Sequence, residues 1–401
     1  MYERFIARQP IFDQRLKIFA YELLFRAGPE NVFRPRKDAS SSVIVDSTML
    51  FDLQTLTGHA KAFINADQSA LLQGAVRLLP PDRIIVEILE SVVPTPEVLT
   101  ACKDLTDAGY VLALDDFVDQ PKWEPLLALA KFLKVDFRAS DQDARGAMAR
   151  RYLPRGMQLL AEKVETQAEL QQARTLGYTY FQGFFFCKPS MLEAREIPPN
   201  KLLYLRLLGA VASPDLDYEK IEEILKQEPS LVYKLLRYLN SPLVGVRNEI
   251  RSIRLAISMI GETEFRRWVS IVAIVSMAGG KPPELIRTAL TRAYFCEEIS
   301  GPIGMTPHSS DLFLMGLLSV TDALLDLPIN QILAQLPVSD DVRTALCGGS
   351  NRFRDVYDTL LSYERADWDN LSSATTRIGG SEDQVPVCYL AAANRASAIS
   401  V

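Results

Sequence analysis

The chain has 401 residues, of which 50 are acidic and 44 basic, for a net charge of -6; without a basic excess it has no chain-wide footprint for a nucleic-acid polymer or an anionic membrane. Hydrophobic residues at 48% and charged residues at 23% exclude a disordered composition and leave length for two or three domains. Two histidines, His59 and His308, and five scattered cysteines with no Cys-x-x-Cys pair exclude multi-histidine zinc hydrolases and a disulfide framework.

From the N-terminus to about Pro189, short runs rich in Val, Ile, Phe and Tyr recur between helix-length segments, the pattern of repeated βα units. In chain order the predicted strands are Phe5–Pro10, Lys17–Phe25, Lys61–Asn65, Arg83–Leu89, Tyr110–Asp116, Phe132–Phe137, Gln158–Lys163 and Tyr180–Phe186. Helices are predicted over Pro96–Ala108, stopped by Gly109, and Gln167–Leu176, stopped by Gly177. Such a series of strands and helices predicts an α/β fold, a TIM-like (β/α)8 barrel. Only a short turn containing Asp13-Gln14-Arg15 separates the first two runs, which reads as a hairpin, so one strand is expected to be antiparallel.

From about Pro198 the spacing becomes helical throughout, with Asp217 capping Ile221, Ile224 and Leu225, and Ser230 capping Leu231, Leu235, Leu236 and Leu239. Further helices are predicted over Ile253–Ile260, Glu264–Ala278, Pro283–Ser300, Asp311–Leu325 and Asn330–Leu336. The expected division is a barrel over 1–196 and an all-α helical domain over 197–401. The longest nearly apolar stretch, Trp268 to Gly280, is too short to cross about 30 Å of hydrocarbon. The opening Met1-Tyr2-Glu3-Arg4-Phe5 lacks a secretory n-region and h-region, so the expected location is cytoplasmic, without a membrane span.

Active sites of (β/α)8 barrels lie at the carboxyl ends of the strands. There the sequence places Glu22, Asn65, Glu87 with Glu90, Asp115 with Asp116, Lys134, Glu162 and Gln182 inside otherwise apolar runs. Five converging carboxylates, Glu22, Glu87, Asp115, Asp116 and Glu162, cannot all stay ionised without a compensating cation. Oxygen ligands without histidine or thiolate select Mg2+ or Mn2+. Two such ions sharing Asp115 or Asp116 suit in-line attack of water on a phosphodiester, with Lys134 orienting the nucleophile or neutralising phosphate charge and Arg26 holding a phosphate.

These residues resemble the EAL domain, the family of cyclic di-GMP phosphodiesterases. Glu22-Leu23-Leu24 with Arg26 is similar to its signature motif and Gln9-Pro10-Ile11 to its ligand-contacting opening. Asn65, the Glu-x-x-Glu pair Glu87 and Glu90, Asp115-Asp116-Phe117, Lys134-Val135-Asp136, Glu162-Lys163-Val164-Glu165 and Gln182-Gly183 with Lys188-Pro189 resemble the remaining motifs. The resemblance implies hydrolysis of cyclic di-GMP to pGpG. It makes Glu22, Asn65, Glu87 and Asp115 ligands of one metal and Asp116 a ligand of the second. Glu22, Lys134, Glu162 and Gln182 would be catalytic, Gln9 and Arg26 substrate-binding, and Glu90 loop-positioning. A homodimer through the barrel is a further implication. Leu23 and Lys163 stand where the family has alanine and glycine, and Val118-Asp119-Gln120-Pro121 follows Phe117 where active members have a glycine-containing loop.

The helical half resembles the HDOD domain through Pro229-Ser230-Leu231, Lys234 to Pro242, Ser252-Ile253, Ala256-Ile257 and Ile260-Gly261. Leu314-Met315-Gly316-Leu317-Leu318 is similar to the stretch before the His-Asp pair of HD hydrolases but continues as Ser319-Val320. A scaffold that binds a protein partner is expected of this half, with His308 an ordinary surface residue. Two readings of the whole chain follow: a cyclic di-GMP phosphodiesterase, or a barrel without efficient turnover that serves as a cyclic di-GMP receptor or scaffold.

Overall fold

In the computed structural model the described residues are 4–27, 53, 57, 58, 60–187, 199–213, 215–227 and 260–399. Their contacts divide the chain into two compact units, one of Met1–Phe186 with Leu361–Leu371 and the other of Cys187–Leu360 with Ser372–Val401. The expected boundary at 196/197 lies outside the described residues, as do His59, Lys188-Pro189 and the helical motifs between Pro229 and Ile257.

The first unit is the expected barrel, closed by strands in sequence order. These are β1 (Arg4–Asp13), β2 (Ile18–Ala27), β3 (Lys61–Ala66), β4 (Ile84–Ile88), β5 (Val111–Leu114), β6 (Phe132–Asp136), β7 (Gln158–Glu162) and β8 (Tyr180–Gln182). β1 runs antiparallel to both β2 and β8, and the remaining neighbours are parallel. The Pro96–Asp107 helix starts on Thr95, whose side chain accepts from the Val98 amide. Gln167–Leu176 carries a reciprocal cap between Thr166 and Glu169 and stops at Gly177, φ 93°, as glycine allows.

β8 is shorter than the predicted Tyr180–Phe186, because Phe184–Cys187 forms a 3-10 turn instead. The break is at Gly183, φ 138°, where a Cβ would lie 2.1 Å from the Val164 carbonyl oxygen. Close approach lets the Gln182 carbonyl accept from the Val164 amide and the Phe185 amide donate to Val164. Gly183→Ala is expected to destabilise the barrel by about 2–4 kcal/mol through backbone strain and overpacking. Chemical denaturation read by a barrel-specific probe measures this, and a change under about 0.5 kcal/mol would contradict the geometry.

Among the described residues the second unit is helical. Glu262–Met277 packs on Pro199–Ala212, and Pro283–Ser300 packs on Ser309–Leu318 and Gln384–Ala398. Trp268 and Ile271, within the predicted Glu264–Ala278 helix, are buried. The predicted Asp311–Leu325 helix is two helices, Ser309–Leu318 and Thr321–Leu325. Ser319 and Thr321 cause the break by donating hydroxyl hydrogen bonds to the Gly316 and Leu318 carbonyls, which compete with the helical ladder. Ser319, in the place of a His-Asp histidine, also accepts from the buried Arg292 guanidinium. His308 is exposed. No helix among the described residues is long and apolar enough to cross a membrane.

Candidate functional site

Alternate residues of a strand share a face, and this periodicity builds the site. Ile11, Ala20, Phe63, Ile85, Ala113, Phe132 and Leu160 form a buried apolar layer inside the barrel, with Tyr180 packed against it. Two residues further toward the same rim stand Glu22, Asn65, Glu87, Asp115, Lys134, Glu162 and Gln182. On antiparallel β1 the step reverses, so Gln9 lies two residues before Ile11. A ring of polar groups thus sits directly on an apolar floor, which excludes water from below and raises the cost of every unpaired charge.

Lys134 occupies the centre of this ring, 1% exposed. Its Nζ lies 2.8 Å from Glu162 Oε1, 3.0 Å from Asp115 Oδ1 and 3.4 Å from Glu22 Oε2, and it also pairs with the fully buried Glu87. One ammonium cannot balance four carboxylates, and the excess appears as proton affinity. Burial, then the charges of Glu162, Glu22 and Asp116, push the Asp115 carboxyl up to about 9. Burial also pushes Glu162 up to about 7, with Lys134 opposing and Glu22 assisting.

A carboxyl whose native pKa exceeds its unfolded value of about 4 binds more protons when folded. The resulting stabilisation is complete below the unfolded value and is lost as pH rises through about 7 for Glu162 and about 9 for Asp115. The chelator-treated chain is therefore expected to melt at falling temperature across this window. Asp115→Asn, neutral throughout, should flatten the upper part of the decline. A melting profile that is level in the wild type contradicts this accounting.

Carboxylate oxygens of Glu22, Glu87 and Glu162 form one group within mutual reach, and those of Glu90, Asp115 and Asp116 form another. Glu90, expected only to position the loop, is thus brought beside the paired aspartates. Asp116 has a left-handed φ of 39° and Lys163 one of 54°, costing on the order of 1–2 kcal/mol each in residues with a Cβ. The offset at Lys163 is electrostatic: its Nζ lies 2.5 Å from Asp136 Oδ2 and 3.5 Å from Asp116 Oδ1. Lys163 stands where the resembled motif has glycine, a departure whose bridging role sequence reading missed.

Gln182 Nε2 donates to Glu22 Oε2 at 2.6 Å and to Gln9 Oε1 at 3.0 Å, while Gln9 Nε2 donates to the Glu364 carbonyl at 3.3 Å. Arg26 pairs through its backbone with Phe5 in the β1–β2 ladder, and its side chain lies outside the described residues. The departing segment after Phe117 is anchored. Asp119 accepts from the Tyr152 hydroxyl at 2.7 Å and from Arg151 at 2.6 Å, and Trp123 is buried. Burial, then the Asp119 hydrogen bond, pushes the Tyr152 phenol up to about 12. Arg145 covers the Phe137 ring and donates to Gln172.

Among the described residues, five buried oxygens of this region have no hydrogen-bond partner, Asn65 Oδ1, Glu87 Oε2, Asp116 Oδ1, Glu162 Oε2 and Gln182 Oε1, with Asp116 Oδ1 keeping only its longer ion pair to Lys163. All can accept and none carries a proton in the ionised acid or amide. An oxygen-only donor set of this kind fits hard divalent cations. The ring opens into a cavity of about 470 Å³ also lined by Arg138, Lys163 and Phe184, and by Arg365, Ala366 and Asp367 of the same unit. It has room for a ligand of nucleotide size.

Comparison with known proteins matches the EAL domain to residues 43–189 and the HDOD domain to residues 197–325. Cyclic di-GMP phosphodiesterase CdgJ of Vibrio cholerae is 35% identical over 94% of this chain and 89% of its own length. The protein YuxH of Bacillus subtilis is 31% identical over 97% of each chain. Among solved structures, Klebsiella pneumoniae BlrP1 in its calcium and cyclic di-GMP complex aligns with a TM-score of 0.39 and 24% identity, over 45% of this chain and 54% of that one.

Proposed function

The chain belongs to the family of proteins that join an EAL domain to an HDOD domain, and from that premise we propose that it is a divalent-metal-dependent phosphodiesterase that hydrolyses cyclic di-GMP to pGpG. The named activity of CdgJ supports the substrate. The observation that carries the chemistry is the ring of buried carboxylates around Lys134, with acceptor oxygens left unpartnered.

Glu22, Asn65, Glu87 and Asp115 would hold one ion, Mg2+ or Mn2+, and Asp116 with Glu90 the second. Bound ions would supply Lewis-acid activation of water and charge balance at the phosphate. The chain's own residues do the rest. Lys134 neutralises charge between the two carboxylate groups and orients the attacking oxygen. Glu162 and Gln182 fix Lys134 and Glu22 in place, so that the site needs little reorganisation on reaction. The apolar layer keeps bulk water out from beneath. Gln9 and Arg26 bind the substrate in this reading, the barrel of 1–196 pairs with a second copy, and the helical domain of 197–401 binds a protein partner in the cytoplasm.

The test is incubation of the purified chain with cyclic di-GMP and Mn2+ or Mg2+, with pGpG followed by chromatography. Product that disappears on chelation supports the proposal. The anchored segment from Val118 to Pro121, without glycine, favours a second reading, a receptor that binds without turnover. Saturable binding with no pGpG would select it.

A further inference from the structure

The unit that contains the barrel also contains Leu361–Leu371, far beyond the strands in sequence. This segment ends the Arg352–Glu364 helix and starts the Trp368–Ile378 helix, and the turn between them, Arg365 to Asp367, is held from several sides. The Arg365, Ala366 and Asp367 amides donate to the Leu361, Tyr363 and Ser362 carbonyls at 3.1, 3.1 and 2.8 Å. Ala366 takes a left-handed φ of 54°. Tyr363 is fully buried with the Trp368 ring 5.9 Å away, and Asp367 accepts from the backbone and side chain of Asn370. A turn so constrained presents its exposed residue in one place.

That residue is Arg365. Its guanidinium lies 5.6 Å from the centre of the Phe184 ring, and both residues line the cavity. The other cations that line the cavity among the described residues are committed: Lys134 to four carboxylates, Lys163 to Asp136 and Asp116, and Arg138 to Glu165. Arg365 has no carboxylate partner among the described residues. The turn is also joined to the acidic ring, because the Glu364 carbonyl accepts from Gln9, which accepts from Gln182, which donates to Glu22.

We propose that Arg365, supplied by this remote turn, is a ligand-contacting residue of the barrel site and holds a phosphodiester oxygen of the bound dinucleotide. The proposal rests on the cyclic di-GMP reading above. A dinucleotide with two anionic phosphates needs cationic contact beyond an acidic ring, and an unpaired guanidinium stacked on an aromatic ring offers planar, two-pronged recognition of phosphate.

The experiment measures equilibrium binding of cyclic di-GMP to the full chain in Ca2+ by calorimetry, for the wild type and for Arg365→Ala, Arg365→Lys and Arg365→Glu, with melting temperatures as a control for folding. Arg365→Ala is expected to weaken binding about ten- to fiftyfold with melting unchanged, Arg365→Glu to weaken it further, and Arg365→Lys to recover part of the loss. The Ala and Glu variants binding within twofold of wild type would overturn the proposal while leaving the cyclic di-GMP reading intact. A wild type that binds no cyclic di-GMP would overturn both.

Discussion

Replacing Lys134 by methionine is expected to destabilise the metal-free chain by about 3–5 kcal/mol, the cost of leaving buried carboxylates without their partner. Methionine matches the length of the lysine stem, so the packing loss is small, and what disappears is the ammonium that contacts Glu22, Glu87, Asp115 and Glu162. The carboxylates then hold protons or gather a cation. Mn2+ should therefore raise the melting temperature of Lys134→Met more than that of the wild type. Melting curves with chelator and with Mn2+ read both quantities. Equal stability of variant and wild type in chelator would mean that the acids are already protonated and that Lys134 is not their counter-ion.

The second large effect is on chemistry. On the proposed function, Asp115→Asn is expected to lower the rate of pGpG formation by about a thousandfold or more, since loss of a charge that would support a metal removes several kcal/mol of transition-state stabilisation. Asp115 is the residue common to the Lys134 contacts and to the group with Glu90 and Asp116. The substitution keeps size and shape and should leave the fold intact, while relieving like-charge repulsion. Activity within tenfold of wild type would remove Asp115 from the machinery. Unchanged melting or higher stability beside lost turnover is the signature of a group kept for function at the expense of stability.

The strands were legible in the sequence because buried strand runs are apolar and the intervening helices carry their caps, as at Thr166 and Gly177. The site was legible for a related reason: each polar residue interrupts an apolar run two positions beyond a floor residue, as Glu87 follows Ile85 and Lys134 follows Phe132. Phe184–Cys187 misled, because an aromatic run reads as strand and the contact that stops β8 at Gly183 comes from Val164, outside any local window. Lys163 was legible only as a missing glycine, and its bridge to Asp136 and Asp116 depends on a backbone angle that composition does not encode. Arg365 carries no local signal at all. Its placement follows from the packing of Tyr363 and Trp368 and from a hydrogen bond between residues 355 positions apart.

That long separation sets an order of events during synthesis. Strands β1 to β8 are complete once the ribosome has passed Gln182, but the turn at Glu364 to Asp367 emerges only after a further stretch nearly as long as the barrel itself. At roughly 5–20 residues per second the delay is on the order of ten to forty seconds. All eight strands are therefore available for pairing before the turn that lines their cavity has been made. The cavity at the carboxyl ends of the strands is thus lined in full only once residues far beyond β8 have been made.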